Sequence, residues 1–375
     1  MEGKHLHIIA FDVPYPADYG GVIDVFYKIK TLWKAGINIH LHCFLYGKRK
    51  PHTELNRYCT EVNYYKRKTG LFSFFSPVPY IIKSRMSREL EERLLKDDHP
   101  VLCEGIHTCG ILRNSALLKR KILFRPANVE HNYYAGLARL EKNLFRKVYF
   151  FLEARKLKRW EDQLEHVSEI FPISDADGKY FRDRFPGISV TVLYGFHPYD
   201  DVDILPGRGE YILFHGNLAV PDNLKAARFI LEKIVPAVEM PVVIAGKDPP
   251  EGLVRKIKAT PGARLVENPG AEEMERLVRE AHIHLLLTFQ RAGLKLKLLI
   301  ALFRGRHIIA NRDMMTLEGV DGCIEIAKES REIMESIREW QGVDFTTQDM
   351  ELRKKCVSPE LINEENGKKF IGKIY

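Results

Sequence analysis

Short apolar runs alternate with amphipathic stretches along nearly the whole chain. His5–Phe11 is an apolar run of strand length, and Gly21–Lys34 after it spaces its apolar residues for a helix. Ile37–Phe44 reads as the next strand and residues 81–97 as helical. Val101–Glu104 and Ile122–Phe124 read as short buried strands, Leu144–Val167 as one long charge-laced helix, and Ile170–Ile173 as a further strand. At 191–210, TVLYGFHPYDDVDILPGRGE, prolines, glycines and acids interrupt the pattern and read as a linker. The alternation then restarts. Tyr211–Phe214, Val242–Ala245, Ala263–Val266, Ile283–Leu287 and His307–Ala310 read as strands. Helices are expected over 222–236, 251–258, 271–281, 294–304, 328–340 and 359–374.

Apolar strands separated by amphipathic helices imply parallel sheets covered on both faces. The fold class is therefore α/β, with two doubly wound, Rossmann-like domains facing across a cleft. The expected division is an acceptor-side domain over 1–195, a donor-binding domain over 196–355, and a C-terminal helix, 356–375, crossing back to the first. In such folds a ligand sits outside the carboxyl ends of the strands, so those loops are the places to search.

Composition narrows the class. The chain has 375 residues, 45% hydrophobic and 29% charged, which describes a folded protein. No run reaches the roughly 18–20 apolar residues of a membrane span, and the N-terminus enters a strand without a signal-peptide layout. The net charge of +8 is lopsided: residues 1–200 carry 32 Lys+Arg against 23 Asp+Glu, and residues 201–375 carry 26 against 27. A basic first half suits an anionic ligand, an anionic membrane surface or a solvated face. Nucleic acid is set aside for want of any recognition motif. The six cysteines make no CxxC pair and no zinc spacing. Cys43, Cys103 and Cys323 lie in apolar runs and read as small buried hydrophobes, which fits a reducing cytoplasm.

Thr288–Asn311 is the most informative stretch. It leaves a buried strand, turns at Gly293, enters a helix rich in Leu, and is closed by Gly305, read as a left-handed C′ residue. A strand, a glycine turn and a helix N-terminus form a site for phosphate. Lys295 and Lys297 add two cations to the first turn, against the helix dipole, which makes sense beside an anion. FHGN (214–217) and AGK (245–247) put glycines at two more strand ends, where backbone must approach a ligand or turn sharply.

Taken in order, IxFHGNxxxPxN, VxIAGK and NPxxEEMxxLxxxAHIHLLxTFQxxGxKLKLLxALFxGRHxIxN resemble the donor-binding domain of retaining GT-B glycosyltransferases, the group 1 type of bacterial surface-polysaccharide assembly. The first half agrees. PYPADYGGVIDVFYKIKTLWKAG (14–36), RPANVEHNYYAGLA (125–138), EARKLKRWE (153–161) and FPISDADGKYF (171–181) resemble successive segments of the same family. The resemblance implies transfer of a sugar from a nucleotide-diphospho-sugar to a glycan or lipid-linked glycan, with retention, no metal and no cofactor beyond that co-substrate.

It also implies roles for residues. Gly20 and Gly21 would face the donor phosphates. Gly216, Asn217, Gly246, Lys247, Thr288, Gln290, Gly293, Leu298 and Ile300 would line the donor side. Lys297 would neutralise the departing diphosphate. His107 would contact the sugar at the reaction centre, with Asn128, Glu130 and His131 on the acceptor side. Departures are specific: many relatives carry a ribose-binding glutamate where this chain has Ile300, and a histidine where it has Ala127. Ile300 cannot accept a hydrogen bond, so a non-catalytic, glycan-binding or scaffolding subunit of the same fold is the second reading. A dinucleotide oxidoreductase is set aside because DVPYPADYGG lacks GxGxxG. Finally, GLFSFFSPVPYII (70–82) is framed by cations across 66–85. It could dock on an anionic bilayer at the inner face of the membrane, or fill a core. The basic face from Lys147 to Arg159 is the second such surface, with a salt-bridged solvated face as its alternative.

Overall fold

The computed structural model describes residues 3–47, 49–70, 76–289, 295–317 and 319–375. Gln290, Gly293 and residues 71–75 of the apolar segment lie outside them. The chain divides into two compact units, one holding the residues up to Pro198 together with Asn363–Tyr375, the other running from Tyr199 to Ile362.

Among the described residues the first unit contains a parallel sheet of seven strands: β1 (His5–Ala10), β2 (Asn38–Leu45), β3 (Glu61–Lys66), β4 (Val101–Glu104), β5 (Ile122–Arg125), β6 (Glu169–Ile170) and β7 (Ser189–Val190). Their order is β3-β2-β1-β4-β5-β6-β7. The order reverses between β1 and β4, where a doubly wound sheet opens for a ligand. Its helices are α1 (Gly20–Lys34), α2 (Tyr80–Lys83), α3 (Arg88–Leu94), α4 (Glu130–Leu140), α5 (Leu144–Trp160) and α6 (Asp175–Arg184). Two expected helices are broken. Residues 81–97 divide into α2 and α3, because Ser87 caps a new helix by accepting from Leu90 N. Leu144–Val167 becomes α5 followed by a 3₁₀ turn over Glu161–His166.

The second unit carries β8 (Ile212–Asn217), β9 (Val242–Lys247), β10 (Ala263–Glu267), β11 (Ile283–Leu286), β12 (His307–Ala310) and β13 (Glu325–Ile326), in the order β10-β9-β8-β11-β12-β13. Its helices are α7 (Pro221–Phe229), α8 (Glu251–Lys258), α9 (Ala271–Glu280), α10 (Leu296–Arg304), α11 (Ser330–Trp340) and α12 (Thr347–Cys356). Three expectations are corrected. Gly305 is extended, at φ −93°, not left-handed; a Cβ there would come within 2.5 Å of the His284 ring, so close packing selects the glycine. Cys323 is not a free buried thiol, because it forms a disulfide with Cys356. Lys295 is the N-cap of α10 and only Lys297 lies within its first turn.

The last helix, α13 (Asn363–Ile374), packs in the first unit. Phe370 is buried against Phe171, and Gly367 lies so close to Thr31 of α1 that a Cβ would meet it at 2.7 Å. Much of the supposed linker is also part of this unit: Leu193, Phe196 and His197 are fully buried.

A buried charge cluster fixes that arrangement. Arg125 Nη2 donates to Asp24 Oδ1 (2.9 Å) and to Tyr194 O (3.1 Å), while Nη1 donates to Phe171 O and Leu193 O. Asp24 Oδ1 also accepts from Phe196 N, and Lys28 Nζ bridges Asp24 and Glu104. Burial alone would raise the Asp24 carboxyl, but Arg125 and then Lys28 hold it well below its usual range. Asp24→Ala leaves Arg125 buried without its counter-ion, so it should destabilise the first unit by about 3–5 kcal/mol, read by urea unfolding. A group with a depressed native pKa loses its contribution as pH falls. The wild-type advantage over Asp24→Ala should therefore shrink on acidification below pH ~4.

Candidate donor and acceptor sites

In the second unit the strand ends meet in one polar cluster. Gly216 pairs with Gly246 and Asn217 with Lys247 in the β8–β9 register. A Cβ on Gly246 would lie 1.8 Å from Gly216 O, so these two strand ends can approach only as glycine. Asn217 Oδ1 accepts from Ala219 N, and Asn217 O accepts from Asn223 Nδ2. Asn223, in the first turn of α7, in turn accepts from Lys297 Nζ at 2.9 Å. The same ammonium lies 5.0 Å from the Phe214 ring centroid. Lys297 is therefore aimed at the β8–α7 loop and only partly solvated. Burial, then the neighbouring Lys295, lower its pKa to about 8 against the pull of Asp222.

His215 is buried beside this lysine, and its Nε2 has no hydrogen-bond partner among the described residues. Burial, assisted by Lys297, lowers its pKa to about 3, so the imidazole is neutral. Thr288 is held on every polar atom. Its N–H donates to Asn311 Oδ1, its carbonyl accepts from Asn311 Nδ2, and its hydroxyl donates to Asp222 Oδ2 at 2.6 Å. Asp222 Oδ1 also accepts from Phe289 N, and Lys295 Nζ reaches Thr288 Oγ1 at 3.4 Å. Asp222 and Asn311 were not singled out from sequence. The available signals were an acid just after Pro221 at a helix start and an Asn ending an apolar strand.

Two expected donor residues face inward. Leu298 is fully buried and its amide donates to Lys295 O. Ile300 packs on the apolar cluster of Tyr211, Leu213, Val243, Leu277 and Val278.

In the first unit the ends of β1, β4 and β5 gather a second group. Gly105, at φ +71°, turns β4 into a 3₁₀ helix over Ile106–Arg113 that carries His107. His107 Nε2 lies 3.9 Å from Glu130 Oε1, its ring packs on Phe11, and its Nδ1 is buried without a described partner. Burial, then Arg85 and Arg67, hold its pKa well below the usual histidine range. Burial also pushes Glu130 up to about 8, against Arg85 and with help from Glu161. At neutral pH the pair is thus a neutral imidazole beside a protonated carboxyl. Arg85 is fixed by bonds to Phe11 O and Ile81 O. Asn128 Oδ1 is buried and unpartnered among the described residues.

His131 is engaged elsewhere. It bonds Glu161 at 2.6 Å, and Tyr180 donates to the same carboxylate. Gly20 opens α1 with free space around it, whereas Gly21 is required by Phe11, which a Cβ would meet at 2.7 Å. The N-cap Tyr19 spends its hydroxyl on Asp12.

Comparison with known proteins fits this geometry. Residues 209–341 match the family of glycosyl transferases group 1. An uncharacterised 44.6 kDa protein in the cps region of Klebsiella pneumoniae is 29% identical over 322 residues, 81% of each chain. The fold is shared with sucrose-phosphate synthase of Thermosynechococcus elongatus (TM-score 0.67, 12% identity, 98% of each chain). It is also shared with a point mutant of S. aureus TarM in complex with Fondaparinux, alpha-GlcNAc-glycerol and UDP (TM-score 0.69, 8% identity, 99% of each chain). These define the class as α/β proteins of GT-B fold. Within that class, residues 209–341 are similar to glycosyl transferases group 1.

Glu130 supplies a test. Its raised native pKa means that the folded state holds a proton the unfolded chain has released, so stability falls as pH rises from ~4.3 towards 8. Glu130→Gln removes this titration, and its stability by urea unfolding should be flatter than wild type across that window. An unchanged slope would mean that Glu130 is ionised in the native protein.

Proposed function

We propose that the protein transfers a sugar from a nucleotide-diphospho-sugar to a hydroxyl of a glycan or lipid-linked glycan, with retention, in the assembly of a surface polysaccharide. The observation that carries this reading is the Asn217–Asn223–Lys297 relay at the start of α10. A half-desolvated ammonium beside a helix N-terminus stabilises a leaving diphosphate as charge develops on it. That assigns to protein groups the charge neutralisation a metal would otherwise supply. The UDP in the TarM structure and the cps-region relative support the donor and the pathway class. The neutral His107 with protonated Glu130 suits hydrogen bonding to sugar hydroxyls in the first unit. Ile300, packed as an apolar residue, favours the second reading, a non-catalytic glycan-binding or scaffolding subunit.

The site of action follows from a surface. In the described part of 66–85, Val78, Ile81 and Ile82 are buried in the core. The exposed apolar surface lies instead on α5, where Leu144, Phe145, Val148, Phe151 and Leu152 recur at helical spacing; Phe145 is 87% exposed. Exposed Lys142, Arg146, Lys147, Arg155, Lys158 and Arg159 flank them. An apolar stripe edged with cations is complementary to an anionic lipid surface. We propose that α5 docks there, at the cytoplasmic face of the membrane, to reach a lipid-linked acceptor. No described helix is long and apolar enough to cross a membrane.

Calorimetric titration with UDP and other nucleoside diphosphates should give binding, with proton uptake near pH 8 as the anion draws a proton onto Lys297. Lys297→Ala should lose that uptake and most transfer activity, about 100-fold or more. Absence of binding by every common nucleotide at millimolar levels would favour the non-catalytic subunit. In flotation with phosphatidylglycerol vesicles, Phe145→Ser with Phe151→Ser should reduce binding at least about tenfold, and salt should weaken wild-type binding. Equal flotation of both proteins, or a dimer by light scattering that the double variant dissolves, would assign the stripe to another partner.

A further inference from the structure

The first two strands carry histidines at alternate positions, His5 and His7 on β1 and His40 and His42 on β2, and His99 precedes β4. Alternation puts each strand's pair on one face of the sheet. The parallel register sets His7 opposite His40, and His99 stacks on His5 with ring centroids 4.5 Å apart. The cluster lies at the amino ends of β1 and β2, opposite the strand ends that carry His107 and Glu130.

We propose that His5, His40 and His99 bind one divalent transition-metal ion of the zinc class. One ring nitrogen from each lies within 4.8 Å of the others. His5 Nδ1 and His40 Nε2 face each other at 2.9 Å, and His5 Nε2 faces Asn38 Nδ2 at 3.4 Å; an ion between the first two nitrogens would displace the proton they share. His40 Nδ1 faces Glu61 Oε1 at 2.9 Å. A carboxylate on the outer nitrogen fixes the tautomer that presents Nε2 to a metal, the usual support for a ligating histidine. All three histidines are partly exposed, so an ion can enter and water can take a fourth position. Three imidazoles select zinc, copper or nickel over magnesium or calcium.

The inner pair does a different job. His7 is bonded to His42 and Asp97, and His42 to Tyr65. Both are buried, so they pack beneath the proposed ion. Glu61 and Asp97 are the acids that face the cluster, and Arg120 is bonded to Asp97. The chain end is adjacent: Tyr375 Oη donates to His5 O, and Lys4 lies over the Tyr375 ring. The ion would therefore tie β1, β2 and the turn before β4 together as a structural clip.

The test uses untagged full-length protein stripped with chelator, titrated with Zn²⁺ against a chromophoric competitor and followed by thermal unfolding. One equivalent should bind and raise the melting temperature. His40→Ala and His99→Ala should each lose most of that binding. Glu61→Gln, which removes no ligand and leaves the sheet intact, should weaken it about tenfold. Zinc binding no tighter in wild type than in His5→Ala/His40→Ala/His99→Ala, or unchanged by Glu61→Gln, would overturn the proposal.

Discussion

The guanidinium of Arg125 is the constraint on which the first unit depends. It is almost wholly buried at the end of β5 and spends its donors on Asp24 of α1 and on the carbonyls of Phe171, Leu193 and Tyr194. A buried cation must be paired, so the helix, the strand end and the exit segment have one mutual position that satisfies it. Asn363 and Asn366 of α13 then bond the same segment at His197 and Tyr194. The charge cluster thereby sets the floor beneath the loops that carry His107 and Glu130.

The second unit solves a similar problem with a network that mixes amides and a hydroxyl with the Asp222 carboxyl and the Lys297 ammonium. Asp222 and Asn311 saturate Thr288, and Asn223 joins the β8 loop to Lys297. Polar networks of this kind fix geometry because leaving any member unpaired in a low-dielectric setting is costly. Lys297, partly desolvated and with a pKa near 8, gains from an incoming anion, which restores its preference for the charged form. His215, buried without a described partner, holds a further polar group in reserve at the same place.

The α5 surface and the histidine cluster show the same logic where the core is not involved. Five apolar side chains are left exposed on α5, while Glu153, Ala154, Leu157 and Trp160 are buried on its other face. The hydrophobic effect favours covering such a stripe, and the flanking cations select what covers it.

Much of the architecture was legible in the chain. Periodicity placed α8 and β12 at their observed bounds and most other elements within a few residues, because apolar runs report burial directly. β3 was missed because it is an edge strand with half-polar faces, and α4, α6 and α12 because their cationic and polar surfaces blur the period. At the site, the sequence marked glycines, Lys297 and His107, since those residue types at strand ends are chemically conspicuous. It could not reveal Asp222, Asn311 or the roles of Arg125 and His131. Each acts through a partner between 23 and 101 positions away, and the fold alone brings such partners together. The same holds for Cys323 with Cys356 and for Gly305, whose reason is the ring of His284. Sequence by itself thus determined the elements and the residues able to do chemistry, because both depend on local composition. Tertiary structure decided which of them are desolvated and paired, because burial and long-range contact are properties of the packed chain.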